Sequence, residues 1–266
     1  VAEIAMKIIS LFVLFIMLTG CATEPRIDKS LSSRSQSDRI KFIIIHYTFA
    51  DLPSSIETLT QADVSAHYLL TDSEKPFAYK LVDESRQANH AGLSSWKIYN
   101  QLNAASIGIE IVNRGYADTP QGRVWYLYPQ AQIDQLVLLL KKIVAQHNIK
   151  PENILGHCEI APQRKQDPGP AFPWKQLANA GLVIWPDQNR IAERLPAYQE
   201  QLPSIAWFQQ KLAQHGYAIP QSGELDEATH NVMVVFQSRY RQSLFDGKPD
   251  AETAAILDVL TSPDIK

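Results

Sequence analysis

IKFIIIH, residues 40–46, is β-branched and aromatic, is too short for a helix, and puts Phe42, Ile44 and His46 on one face by its period of two. His46 therefore ends a buried strand. The reading extends outward through three further strand candidates. Val64–Leu70 carries His67, Phe77–Val82 leads into Asn89-His90-Ala91-Gly92, and Ser106–Val112 reads SIGIEIV. In the last of these Ile107, Ile109 and Ile111 share one face, which leaves Glu110 on the other among small or apolar neighbours. Pro129–Asn148 places Ile133, Leu136, Val137, Leu140, Ile143 and Val144 at helical spacing, with Pro129 near the start. Ile154-Leu155-Gly156-His157 follows as a short strand or turn, and a proline-rich loop runs on to Pro173. Strands alternating with helices over about 150 residues predict an α/β fold, a mixed central sheet flanked by helices.

The chain around this unit has 266 residues, 45% hydrophobic and 20% charged, which excludes wholesale disorder. Twenty-five Lys plus Arg against 28 Asp plus Glu give a net charge of −3, without the basic excess that nucleic acid demands. Two cysteines, Cys21 and Cys158, make no disulfide scaffold. At the amino end, Lys7 precedes the apolar run Ile8–Leu18, which is short of the ~20 residues of a spanning helix. That run ends in Leu18-Thr19-Gly20-Cys21, which resembles the lipobox of bacterial lipoproteins. Residues 1–21 are thus expected to be a lipoprotein signal peptide with Cys21 lipidated; Met6 is the natural start, and Val1–Ala5 an upstream extension. Residues 22–38, rich in Ser, Arg and Gln, read as a flexible tether spanning roughly 20–25 Å. Ala22 stands where an acidic residue would signal inner-membrane retention, so the expected location is the outer membrane, lipid-anchored and facing the periplasm.

Chemistry gathers at three points. His46 ends a strand, His157 follows another, and Asp167 lies in Lys165-Gln166-Asp167-Pro168-Gly169, a loop stiffened by Pro162, Pro168 and Pro170. Two imidazoles and one carboxylate make a three-ligand zinc set whose fourth position stays open for water. Singly, each has a plainer reading: a strand-end histidine is usually hydrogen-bonded and structural, and an Asp before Pro is usually a turn former.

The run Gly156-His157-Cys158-Glu159-Ile160-Ala161-Pro162-Gln163-Arg164-Lys165-Gln166-Asp167-Pro168-Gly169-Pro170 resembles the GH-x-[DE]-IAP-x-RK-x-DPGP signature of type-2 zinc-dependent N-acetylmuramoyl-L-alanine amidases, a family that also contains peptidoglycan recognition proteins. Ile43–Thr48, Val64–Leu70, His90-Ala91-Gly92 and Ser106–Glu110 are similar to other family segments and stand in the same order. The resemblance implies an amidase/peptidoglycan-recognition-protein-like fold and one Zn2+ per chain, held by His46, His157 and Asp167. It also implies Glu110 and Lys165 as the catalytic pair, with peptidoglycan or muropeptides as partner. Glu110 would take a proton from the activated water and return it to the leaving amine, while Lys165 steadies the oxyanion. The scissile bond would join the lactyl group of N-acetylmuramic acid to L-alanine, in cell-wall turnover or recycling. His67 and Tyr68 are expected to be structural, and His90 and Asn89 to contact substrate. Asn89 departs from the Trp usual before His-Ala-Gly. Strand parity points Cys158 away from His157, so it is not expected to be a fourth ligand.

Pro186, Pro196 and Pro203 punctuate a join, giving a catalytic domain at 39–195 and a small all-α three-helix domain at 196–266. Its helices are expected at Ile205–His215, from Asp226 to about Tyr240, and from Asp250 onward, the last two opened by Asp-x-x-Thr caps. The order resembles the small peptidoglycan-binding domain; the plainer reading is a helical bundle that only packs on the amidase. A monomer is expected. Two other functions remain open from sequence: a non-catalytic peptidoglycan receptor, and a zinc peptidase acting within the stem peptide.

Overall fold

The computed structural model describes residues 24–262. The expected signal peptide and Cys21 lie outside these residues, as does the start of the tether. Residues 24–37 are exposed and contain neither helix nor strand. The described residues from 38 onward form one compact unit. No helix among the described residues is long and apolar enough to cross a membrane.

The central sheet has five strands. In chain order these are β1 (Phe42–Tyr47), β2 (Tyr68–Leu70), β3 (Ala78–Lys80), β6 (Ser106–Ile111) and β9 (Ile154–Gly156), and across the sheet they run β3-β2-β6-β1-β9. β1 pairs in parallel with β6 and β9, β2 pairs in parallel with β6, and β3 closes one edge antiparallel to β2. The sheet is therefore mixed, as the sequence predicts. Two ribbons stand beside it, β4 (Ser95–Trp96) with β5 (Tyr99–Asn100), and β7 (Tyr116–Thr119) with β8 (Gly122–Trp125).

Period-two parity sorts the core as read. Ile43, Ile45, Ile107, Ile109 and Ile111 bury against Ile133, Leu136, Leu140 and Ile143 of helix α2 (Gln130–His147). Phe42 and Ile44 face the other way, into a core shared with Phe208, Phe236 and Leu257 of the C-terminal helices. Those helices are α6 (Ile205–His215), α7 (Glu227–Tyr240) and α8 (Ala251–Thr261). The two Asp-x-x-Thr openings are caps: Asp226 accepts from the Thr229 N–H at 2.7 Å, and Asp250 from the Thr253 N–H at 2.8 Å.

Several expectations are corrected. The strand expected from Val64 begins at Tyr68, because Val64 is exposed and Ser65 is drawn instead to the Asn89 carbonyl, its N–H donating at 3.0 Å. Phe77–Val82 shortens to Ala78–Lys80 at the sheet edge. His157 and Cys158 lie on a helical turn, α3 (His157–Ile160), so strand parity is not what turns Cys158 away; that turn buries it in the core beside Phe42 and Leu155. The join expected at 195/196 falls inside a helix, α5 (Gln188–Glu200), which runs through Pro196. It docks through Arg194, which pairs with Asp258 of α8. Besides α5, two helices had no sequence reading: α1 (Leu52–Gln61), capped by Asp51, and α4 (Trp174–Asn179).

The C-terminal helices are welded to the sheet. Arg239 of α7 is buried, stacks over Trp174 and pairs with Glu159, whose other contact is the Gly156 N–H at 2.7 Å. Gln242 donates to the Phe172 carbonyl at 2.6 Å, and the Lys97 N–H to the Gly216 carbonyl at 2.8 Å.

Candidate metal centre and active site

The parallel strands β1, β6 and β9 bring their carboxyl ends together, the end of an α/β sheet where sites form. His46 lies near the end of β1, directly across from Glu110 on β6. His157 is the first residue after β9, and the Asp167 loop is pinned beside it by the Cys158 N–H donating to the Asp167 carbonyl at 2.8 Å. All three expected ligands are buried.

Their donor atoms form a small triangle. His46 Nδ1 lies 3.0 Å from His157 Nδ1 and 3.0 Å from Asp167 Oδ2, and His157 Nδ1 lies 3.1 Å from the same oxygen. The surrounding hydrogen bonds fix the tautomers. His157 Nε2 faces the Ala91 carbonyl at 3.1 Å, which can only accept, so that nitrogen carries the proton and Nδ1 is bare. Ser106 Oγ donates to the Leu102 carbonyl at 2.5 Å and so accepts from His90 Nε2 at 3.2 Å. His90 Nδ1 then accepts from His46 Nε2 at 3.1 Å, which leaves His46 Nδ1 bare as well. Two imidazole lone pairs and a carboxylate oxygen thus converge with no proton between them, an arrangement that calls for a cation. Donors around a tetrahedral zinc at ~2.0–2.1 Å sit roughly 3.3–3.4 Å apart, so the triangle fits after a small outward movement. These three residues form a possible metal-holding group, and Cys158 Sγ is not part of it.

Electrostatics agrees. Burial, then the neighbouring His157, lowers the His46 pKa to about 4 against the pull of Asp167, and burial also pushes His90 well down. Burial opposes ionisation of Asp167, but His157 and His46 outweigh it and hold the carboxyl well below the usual carboxylate range. A neutral His46 beside an ionised Asp167 is the pair of protonation states that metal ligation by those two residues needs. Burial, with the charge of Asp167 second, pushes Glu110 well above its ordinary value, opposed by Lys165. Glu110 Oε1 lies 4.0 Å from His46 Nδ1, while its Oε2 is buried without a hydrogen-bond partner. Lys165 lines the same cavity, of about 270 Å³, together with Glu110, Asn89 and the ligand triangle.

His90 lines the cavity but is buried behind His46, with one ring nitrogen bonded to His46 and the other to Ser106. Gly108 makes room for it, since a Cβ there would lie 2.4 Å from His90 Cγ. Asn89 is exposed at the cavity rim. His67 is structural, as expected: its Nδ1 accepts from the Gly108 N–H at 3.0 Å and its Nε2 donates to the Arg86 carbonyl at 3.2 Å. Tyr68 likewise spends its hydroxyl on Glu84. Sequence reading missed Ser106, the Ala91 carbonyl, and Arg164, whose guanidinium donates to the carbonyls of Ala91 and Leu93 and so staples the His157 support in place.

The comparisons with known proteins follow this geometry. A family model described as N-acetylmuramoyl-L-alanine amidase matches residues 36–170, and a peptidoglycan-binding-domain model matches residues 201–257. N-acetylmuramoyl-L-alanine amidase AmiD of Escherichia coli is 40% identical over 259 residues, 92% of this chain and 94% of that protein. Its structure in complex with the substrate anhydro-N-acetylmuramic acid-L-Ala-D-gamma-Glu-L-Lys superposes with a TM-score of 0.81 at 38% identity, covering 88% of this chain and 93% of that one. AmpDH3 from Pseudomonas aeruginosa, in complex with anhydromuramic pentapeptide, gives a TM-score of 0.82 at 32% identity, covering 89% and 97%. With its signature segment folded around a buried His-His-Asp triangle, and with similarity running through both its parts, the chain belongs to the N-acetylmuramoyl-L-alanine amidase family.

Proposed function

We propose that this protein is a zinc-dependent N-acetylmuramoyl-L-alanine amidase that cuts the amide between N-acetylmuramic acid and L-alanine in peptidoglycan. The observation that carries the reading is the set of three buried donor atoms converging on one point, beside a half-buried glutamate and a lysine in a single cavity. His46, His157 and Asp167 would hold one Zn2+. Bound there, the metal supplies Lewis acidity toward water and the scissile carbonyl.

The chain's own residues do the rest. Glu110 accepts the proton of the attacking water at its carboxylate. The same burial that raises its pKa lets it keep that proton until the L-alanine amine leaves and takes it. Lys165 stabilises the negative charge that develops on the carbonyl oxygen. His90 and Ser106 hold the His46 imidazole in its ligating tautomer, and Arg164 with the Ala91 carbonyl does the same for His157.

The finer assignments belong to the same proposal. Residues 1–21 serve as a lipoprotein signal peptide, with Cys21 lipidated in the motif Leu18-Thr19-Gly20-Cys21. Residues 22–38 tether a monomeric enzyme to the outer membrane, where it faces the periplasm and works in wall turnover or recycling. The exposure of residues 24–37 supports a tether.

The test is mass spectrometry of digested muropeptides with parallel zinc analysis. Intact stem peptides with a free L-alanine amine, released by protein carrying about one zinc, are expected. Cleavage inside the stem would turn the reading to a peptidase. His46→Ala and Asp167→Ala should each lose both metal and activity, because two ligands hold zinc poorly. Stoichiometric zinc in both variants would remove the triangle from the mechanism.

A further inference from the structure

β9 leads directly into His157, yet it is an edge strand: β1 lies on one side of it, and no strand among the described residues lies on the other. Its outward polar groups are met by side chains instead. The Ile154 carbonyl accepts from Nη1 and Nη2 of Arg239, each at 3.3 Å, and the Gly156 N–H donates to Glu159 Oε2 at 2.7 Å. Arg239 and Glu159 also pair with each other. In a parallel ladder, one residue of the neighbouring strand donates to the carbonyl of residue i and accepts from the N–H of residue i+2. The ion pair makes the same two bonds, so it stands where one residue of a sixth strand would stand.

That place borders both ends of the ligand set. Gly156 directly precedes His157, and it also packs against the loop of Asp167: a Cβ on Gly156 would lie 2.7 Å from Pro168 Cδ and 3.3 Å from Trp174 Cζ2. The Arg239 guanidinium lies 4.0 Å over the Trp174 ring and so backs that contact too. Stability alone is a poor account of such a pair, because a buried ion pair gains little over apolar packing. Both residues are almost wholly buried, and Glu159 Oε1 and Arg239 Nε have no hydrogen-bond partner among the described residues. What the pair supplies is a fixed position for the end of β9, and metal ligands lose affinity when the groups behind them loosen.

We propose that Arg239 is a positioning residue for the metal site, a role that rests on the zinc amidase reading. Acting through Glu159 and the open edge of β9, it takes the place of a missing strand and sets His157 against Asp167, so that helix α7 governs zinc affinity from outside the catalytic cavity.

The test is zinc affinity by chelator competition on the full chain, at a temperature below the thermal midpoint of every variant. Arg239→Met keeps an apolar cover for Trp174 but offers no donor, and should weaken zinc binding at least tenfold. Adding Glu159→Gln to Arg239→Met should weaken it no further, since both residues act along one route. Leu257→Ala opens a cavity in the buried face of α8 and removes no hydrogen bond to β9. It should lower the thermal midpoint and leave zinc affinity within about twofold of the parent. Unchanged zinc affinity in folded Arg239→Met, additive losses in the double variant, or an equal zinc loss in Leu257→Ala would each overturn the assignment. If Arg239→Met does not fold, Glu159→Gln alone decides, with the same loss expected. A wild type that binds zinc and hydrolyses a small soluble muropeptide, alongside unaffected variants, would remove only this role of Arg239. A wild type without zinc or hydrolysis would remove the amidase reading instead.

Discussion

Glu110 and His90 carry separable contributions. Glu110→Gln keeps the shape but cannot accept a proton, so turnover should fall on the order of 10²-fold or more while zinc stays bound; near-normal turnover at full zinc occupancy would take Glu110 out of the mechanism. His90 acts through His46. His90→Leu fills the space but offers His46 Nε2 no acceptor, freeing the ring to adopt the other tautomer. Zinc affinity, measured by chelator competition, should drop about 10–100-fold. His90→Asn, which restores an acceptor oxygen, should recover much of it, and equal affinity in both variants would show that His90 only fills space. The triangle of candidate ligands was legible because its residue types at those spacings are few and the signature segment spans two of them. The tautomer relay was not, because it runs through a serine hydroxyl and a backbone carbonyl that parity and spacing do not mark.

At the level of elements, strands and caps were legible wherever a local rule decides them. β1 and β6 follow from period-two alternation, and α7 and α8 from their Asp-x-x-Thr openings. Helix α1 escaped because its sequence, LPSSIETLTQ, buries only Ser55 and Leu59, too thin a stripe to read as helical. Helix α5 escaped because its interior proline reads as a boundary, while α8 holds it from the side. One element has a pH signature. His215 closes α6 inside a box of Trp96, Tyr217, Phe236 and Tyr240, and burial, then Arg239, pushes its pKa down to about 3. A histidine depressed in the fold contributes stability that is complete above its unfolded pKa near 6.5 and is lost as the pH falls toward 3, by up to ~1.4 kcal/mol per pH unit. His215→Gln should therefore flatten the acid limb of the thermal midpoint against pH relative to the parent, measured with chelator present in both. Parallel acid limbs would place the titration elsewhere.

Across the whole molecule, sequence reading separated a catalytic domain from a C-terminal module, and the packing joins them. Phe42 and Ile44 share their core with Phe208, Phe236 and Leu257, and Glu159 of the signature segment answers to Arg239. No local pattern announces this, because each side of the core reads as an ordinary apolar face until its partner is known. Deleting residues from about 200 onward should therefore lower the thermal midpoint and cut hydrolysis of soluble muropeptides and whole sacculi together. Intact hydrolysis of soluble muropeptides by the truncated chain would show that the amidase part stands alone. The joint core also sets a timetable. The strand that carries His46 is made about 200 residues before the helix that finishes covering its other face. At ~5–20 residues per second that interval is roughly 10–40 s. A chain clipped between Asp167 and α7 has its histidines and its aspartate but not the scaffold that aims them, so it is expected to stay inert until the helices that cover β1 arrive.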